Sequence, residues 1–244
     1  MASFKTALYT ATMTWIDRIA FFSTLDVIAV GFLFSAWFFI GVWIDNPTKA
    51  NPSVSTLMAG YRREWMRQMV TRDPRIFDAQ ILASLRQGTA FFASTSMLAI
   101  GGTLALIGNG ERVSGLAREL ILVSDPAFVW EIKLLVIVFF LSNAFLKFVW
   151  SNRLFGYTAV LVASVPNDAE DSRAMPRAMQ AAEISITAAR GFNRGLRAVY
   201  FAMATVAWLA GPITLIVATT FTLGVIYRRE FASASRKILL NTQA

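Results

Sequence analysis

The chain has 244 residues, 56% of them hydrophobic and 16% charged, with a mean hydropathy of +0.53 and a formal net charge of +8. A soluble domain carries nearer ~25% charged residues; here the deficit falls in long apolar runs flanked by arginines, which fits an integral membrane protein better than a nucleic-acid binder. The absence of Cys and His excludes thiol nucleophiles, disulfides, zinc sites, haem–histidine ligation and His general bases, leaving Asp, Glu, Lys and Tyr for any acid–base chemistry.

Residues 1–22 mix Trp15, Phe21 and Phe22 with Lys5, Asp17 and Arg18. The charges interrupt the segment before an apolar core develops, so an interfacial arm is expected rather than a signal peptide. Residues 27–44 are uncharged and, at ~1.5 Å per residue, just cross a ~30 Å hydrocarbon core. Asp26 stands in the first turn, where a carboxylate suits the helix dipole. Asn46-Pro47 ends this first span. A helix starting near Ser53 places Val54, Leu57, Met58, Tyr61, Trp65 and Met69 on one face, with Arg62, Arg63 and Arg67 off it. That pattern predicts a basic amphipathic helix on the membrane surface, its apolar face turned to lipid or to the other helices.

Asp78 opens the next helix, which carries Gln80, Arg86 and Gln87 before a second uncharged span at about 88–108. The small-xxx-small pairs Ala90/Ser94 and Gly101/Ala105 predict close helix packing, a polar substrate path being the alternative. A mixed-charge connector over 109–127 leads to a third span at about 130–150. Asn143 and Lys147 share one side of it at i, i+4 spacing, and Lys147 is expected to snorkel to the interface. Residues 174–197 read as a small, basic helix in which Arg190, Arg194 and Arg197 form one stripe, suited to anionic head groups or an acidic partner. The 30 residues 198–227 are uncharged, about 45 Å as a helix, with Gly211-Pro212 in the middle. One long, kinked fourth span centred on 203–226 is expected, a re-entrant pair being the alternative. The expectation is therefore an all-α bundle: a four-span membrane domain over 23–230, surface helices and a polar tail over 231–244.

With four spans, the loops 45–86 and 147–197 share one side and hold 14 of the 23 Lys and Arg. The positive-inside rule then puts both loops in the cytoplasm and both termini outside, although four basic residues follow the last span.

The order Leu25-Asp26, Arg62-Arg63-Glu64-Trp65-Met66, Gln80, Leu85-Arg86, Ala93-Ser94-Thr95-Ser96, Gly101-Gly102, Lys133 and Asn152-Arg153 resembles the family of domain of unknown function 599 in bacteria and plants. The likeness covers most of residues 24–227. It implies a four-span helical membrane protein and no known activity, cofactor or catalytic residue.

No P-loop, dinucleotide-type glycine pattern or G-x-S-x-G occurs, so no catalytic, cofactor or metal site is assigned. Two polar groupings stand out. One is a cytoplasmic cationic surface of Arg62, Arg63, Arg67, Arg190, Arg194 and Arg197. The other is the set Asp26, Gln80, Arg86, Gln87, Asn143 and Lys147, placed simply at span ends or gathered at a cytoplasmic mouth by Arg86 and Lys147 with nearby carboxylates. The expected protein is a non-enzymatic accessory or assembly component of the bacterial inner membrane. Its partners are anionic lipid head groups and a membrane protein or a second copy, not nucleic acid. A small oligomeric transporter and a lipid-modifying enzyme are the alternatives.

Overall fold

The computed structural model describes residues 21–48, 50–109 and 126–241. All but the last two residues of the expected interfacial arm, and most of the 109–127 connector, lie outside the described residues. The described chain is helical, with no strand among the described residues. The helices are α1 (Thr24–Asp45), α2 (Val54–Val70), α3 (Ile76–Ile107), α4 (Ala127–Ala163), α5 (Ala174–Val206), α6 (Pro212–Phe231) and α7 (Ala234–Asn241), with a 3-10 turn at Ala207–Ala210.

α1, α3 and α4 are long and apolar enough to cross a membrane. Ser23 caps α1: its hydroxyl accepts from the Asp26 amide, and the Asp26 carboxylate accepts from the Ser23 amide, a reciprocal pair that satisfies two otherwise unpaired donors. Ser53 caps α2 and donates back to the Ile44 carbonyl at 3.3 Å, tying the start of α2 to the end of α1.

The expected kinked fourth span is instead a helical hairpin. α5 runs into the 3-10 turn, Gly211 takes φ +114°, and Pro212 begins α6. A positive φ is open to glycine at little cost, and a proline at the first helical position loses no hydrogen bond it would have made. Together they reverse the chain rather than bend it. Thr214 closes the turn, donating to the Ala207 and Gly211 carbonyls at 2.6 Å. The reversal is visible in the side chains: Arg229 meets the Tyr200 hydroxyl. Ser55 accepts from Asn193 and donates to Glu230, so residues 193 and 230 lie at one level. Trp208 reaches Asp26 at the start of α1, while Phe231 stacks on Trp43 near its end.

This hairpin corrects the expected arrangement of the chain ends. α7 lies at the Asp45 end of the bundle, where Arg236 donates to the Pro52 carbonyl at 2.9 Å and to Asn51 at 2.6 Å. The tail is therefore a docked helix on the same side as the 45–86 and 147–197 loops, not opposite them. The four basic residues of 228–237 lie at that same end of the bundle.

α3, α4 and α5 have 32, 37 and 33 residues, or about 48–55 Å each, and a hydrocarbon core takes up only ~30 Å. Their excess projects past Asp45. α2 stands beside it, antiparallel to α5: Ser55 is level with Asn193, Arg62 with Ser185 and Arg63 with Glu183. This departs from the expected surface helix. α2 packs on α5 with Leu57, Met66, Met69 and Val70 buried while Met58 and Tyr61 of the expected face stay exposed, and the helix follows the bundle axis.

Two main cores result. Leu33, Ile40, Phe140, Phe201, Trp208 and Leu215 join α1, α4, α5 and α6. Met66, Met69, Leu82, Val162, Ala178 and Ala181 fill the projecting part. Between them, Phe92, Phe148 and Phe192 pack ring to ring. The small pairs of α3 do not mediate packing within the chain: Ala90, Ser94, Gly101 and Ala105 are exposed. The face that meets α4 is the next stripe round, with Leu82, Thr89, Ala93 and Ser96 buried.

Candidate functional site

The polar residues gather at the two ends of α1. At its start, Trp208 Nε1 donates to Asp26 Oδ1 at 2.7 Å. Lys133 lies over the rings of Trp130 and Trp208, at 5.0 and 5.8 Å from their centroids. At its finish, Asp45 accepts from Arg194 Nε at 2.7 Å and from Arg197 Nη2 at 3.0 Å. A carboxylate at a helix C-terminus opposes the dipole, and two arginines compensate it. Arg197 is almost wholly buried, at 8% side-chain exposure.

Above Asp45 lies a cavity of about 730 Å³ bounded by α2, α3, α5 and the end of α6, with Phe155 of α4 on one wall. Helical spacing on α2 aims Ser55, Met58, Ala59, Arg62 and Arg63 into it, and α5 contributes Ile186, Ala189, Arg190 and Asn193. Hydroxyls of Ser55, Thr56, Ser84, Thr89 and Ser233 also line it. Arg62 Nη1 donates to Ser185 at 2.8 Å and its guanidinium sits over Phe155. Burial holds its pKa below the ordinary arginine value. Arg63 is paired with Glu183 by two bonds of 2.6 and 3.2 Å. The hydrogen bond from Arg63 holds Glu183 below the ordinary carboxylate range, against the opposing effect of burial. Glu230 accepts from the Ser55 amide and hydroxyl.

The six arginines expected as one cationic surface divide. Arg62, Arg63 and Arg190 line the cavity. Arg194 and Arg197 close on Asp45, and Arg67 pairs with Glu64 at 3.1 Å on the outer surface. The second set divides too. Asp26 sits at the opposite end from Lys147, which lies within electrostatic reach of Asp45, Arg194 and Arg197. Gln80, Arg86 and Gln87 are exposed on α3, and the Arg86 carbonyl accepts from Asn152 at 2.9 Å. Asn143 is partly buried on α4. Asp45, Ser55, Glu183, Ser185, Asn193 and Glu230 complete the site without standing out in the sequence. Only Asp45 had a local signal, as an acidic residue closing an apolar helix. Among the described residues, no three carboxylates converge to hold a metal ion.

The family model described as "Protein of unknown function, DUF599" matches residues 28–235. No curated protein and no solved structure matches the chain. The match covers most of the chain, so the protein belongs to this family.

Proposed function

We infer that this DUF599 protein is an integral component of the bacterial inner membrane that works by binding: an accessory or assembly protein displaying a helical, arginine-rich extension in the cytoplasm. The observation that carries the reading is the common overshoot of α3, α4 and α5 beyond Asp45. Such continuous helices build a docking platform on a membrane anchor. The charges favour the same side. Among the described residues, every Lys and Arg except Lys133 lies at or beyond the Asp45 end, and the positive-inside rule assigns that end to the cytoplasm. In this reading the chain crosses the bilayer five times, the α5–α6 hairpin supplying the last two crossings. The polar groups at both ends of α1 hold helices together, a binding scaffold's use of them rather than a reaction centre's.

The test has two arms. Single cysteines are clean reporters because the chain has none of its own. In intact cells, Ser172→Cys and Ser235→Cys should resist an impermeant maleimide, while Asn109→Cys should react. Reaction at Ser235→Cys with protection at Ser172→Cys refutes the five-crossing arrangement. Tagged protein extracted from native membranes in mild detergent should then carry a stoichiometric second protein or copy, lost when Arg67 and Arg153 are both changed to Glu. A chain that migrates as a bare monomer refutes the assembly role.

A further inference from the structure

We propose that the cavity above Asp45 binds the phosphate group of an anionic membrane amphiphile, with Arg62 and Arg190 as its anion ligands. The first support is charge. Arg62 lines the cavity and donates to one neutral hydroxyl, that of Ser185. Among the described residues neither Arg62 nor Arg190 has a carboxylate within 4.0 Å, and Glu183, which acts on Arg190 electrostatically from farther off, is held by Arg63. The two carboxylates on the cavity wall are otherwise occupied: Asp45 by two arginines, Glu230 by Ser55. A partly buried guanidinium without a counter-charge is costly, and a bound oxyanion supplies one. Arginine presents a planar fork of donors that matches phosphate oxygens two at a time.

The second support is location and lining. The cavity lies at the level where α1 ends, which is the boundary between the apolar bundle and the polar extension. Ser84 adds a hydroxyl on the α3 wall for a polar head group, while those of Ser55 and Thr89 already donate to Glu230 and to the Leu85 carbonyl. Ile44, Val54, Leu85, Phe155 and Phe192 give the same cavity apolar wall, which a small hydrophilic anion does not use. A volume of about 730 Å³ falls in the ordinary range for small-molecule sites, enough for a head group and the first methylenes of a chain. A site of this make-up, at this depth, selects a ligand that is anionic at one end and apolar at the other.

The inference rests on the membrane reading above but not on the assembly role or on the number of crossings. Its test uses the purified full-length protein in neutral detergent, titrated calorimetrically with three probes: dihexanoyl phosphatidic acid, glycerol 3-phosphate and dihexanoyl phosphatidylcholine. Saturable one-to-one binding of the phosphatidic acid is expected, with affinity at least tenfold above that of either other probe. Arg62→Gln and Arg190→Gln should each weaken it at least tenfold, and Arg173→Gln, which pairs with Asp171 away from the cavity, should leave it unchanged. Arg190 is exposed, so its variant keeps the test valid should Arg62→Gln fail to fold. Equal affinity for glycerol 3-phosphate overturns the amphiphile assignment in favour of a soluble phosphate. Equal affinity for phosphatidylcholine, no saturable binding, or unchanged binding in Arg190→Gln overturns the site.

Discussion

Gly195 is the glycine of α5 pressed against Phe148 of α4, and its replacement by Ala gives a sharp test of the packing. A Cβ built there lies 2.6 Å from Phe148 Cε1 and 2.9 Å from Cδ1. Ordinary contact begins near 3.4 Å, so ring or backbone must move by nearly 1 Å. The ring has little freedom, since Phe148 is fully buried and is flanked by Phe92 and Phe192 at centroid distances of 5.4 Å. Overpacking of this kind costs about 1–3 kcal/mol, against which Ala regains about 1 kcal/mol of helix propensity over Gly. The control is one turn away. A Cβ at Gly191 meets Ser151 Cβ at 3.6 Å, an ordinary contact, so Gly191→Ala keeps the propensity gain without the clash. Unfolding titrations in mixed micelles, followed by tryptophan fluorescence, should place Gly191→Ala above the wild type and Gly195→Ala below Gly191→Ala by about 1–3 kcal/mol. If the two variants are equally stable, α4 and α5 are not in the register described.

The ion pairs should separate by burial. Asp45→Asn strands Arg197, and breaking a buried pair costs about 3–5 kcal/mol. Glu183→Gln breaks a pair with Arg63 whose side chains are about half exposed and should cost no more than about 1 kcal/mol; equal costs in the same titration would contradict the placement of Asp45. The pH dependence has a definite sign. Glu183 is held below its ordinary pKa by Arg63, so its contribution is complete above the unfolded-state value and disappears as pH falls through the lower folded-state value. Stability measured from pH 6 downward should lose part of its acid slope in Glu183→Gln, and an unchanged slope would remove the pair from the folded state.

The helical class and three spans were legible because apolar length is a local signal that composition alone carries. Ser53 was legible as a helix start for the same reason: a cap is read within four residues. The hairpin was not. Gly211-Pro212 fits both a kink and a reversal, and the choice depends on Tyr200 finding Arg229 and on Asn193 and Glu230 sharing Ser55, contacts that no periodicity reveals. The extension was hidden differently. Residues 154–163 of α4 are as apolar as a membrane segment, yet Leu154, Phe155 and Val162 face α5 and α2 rather than lipid. At the site, spacing set Arg62 and Arg63 with Arg67, and Arg190 with Arg194 and Arg197, and only the charge count joined the two sets on one side. The distinction of Arg62, Arg63 and Arg190 from Arg194 and Arg197 rests on Asp45, which is 149 and 152 residues away from the latter two in the chain.

The unbroken length of α3, α4 and α5 makes each of them a lever. α5 continues from Ala174 to Val206 without a break, and Ala174 stands about 30 Å from Arg194 along the helix axis. A helix whose hydrophobic stretch exceeds the local hydrocarbon thickness responds by tilting. A tilt of about 10° swings an arm of that length through about 5 Å at its tip. Lacking a hinge where the helices leave the lipid, the projecting end cannot stay still while the buried end moves. On the proposed five-crossing arrangement, a change of tilt within the lipid would be carried mechanically to the outer faces of α2 and α5.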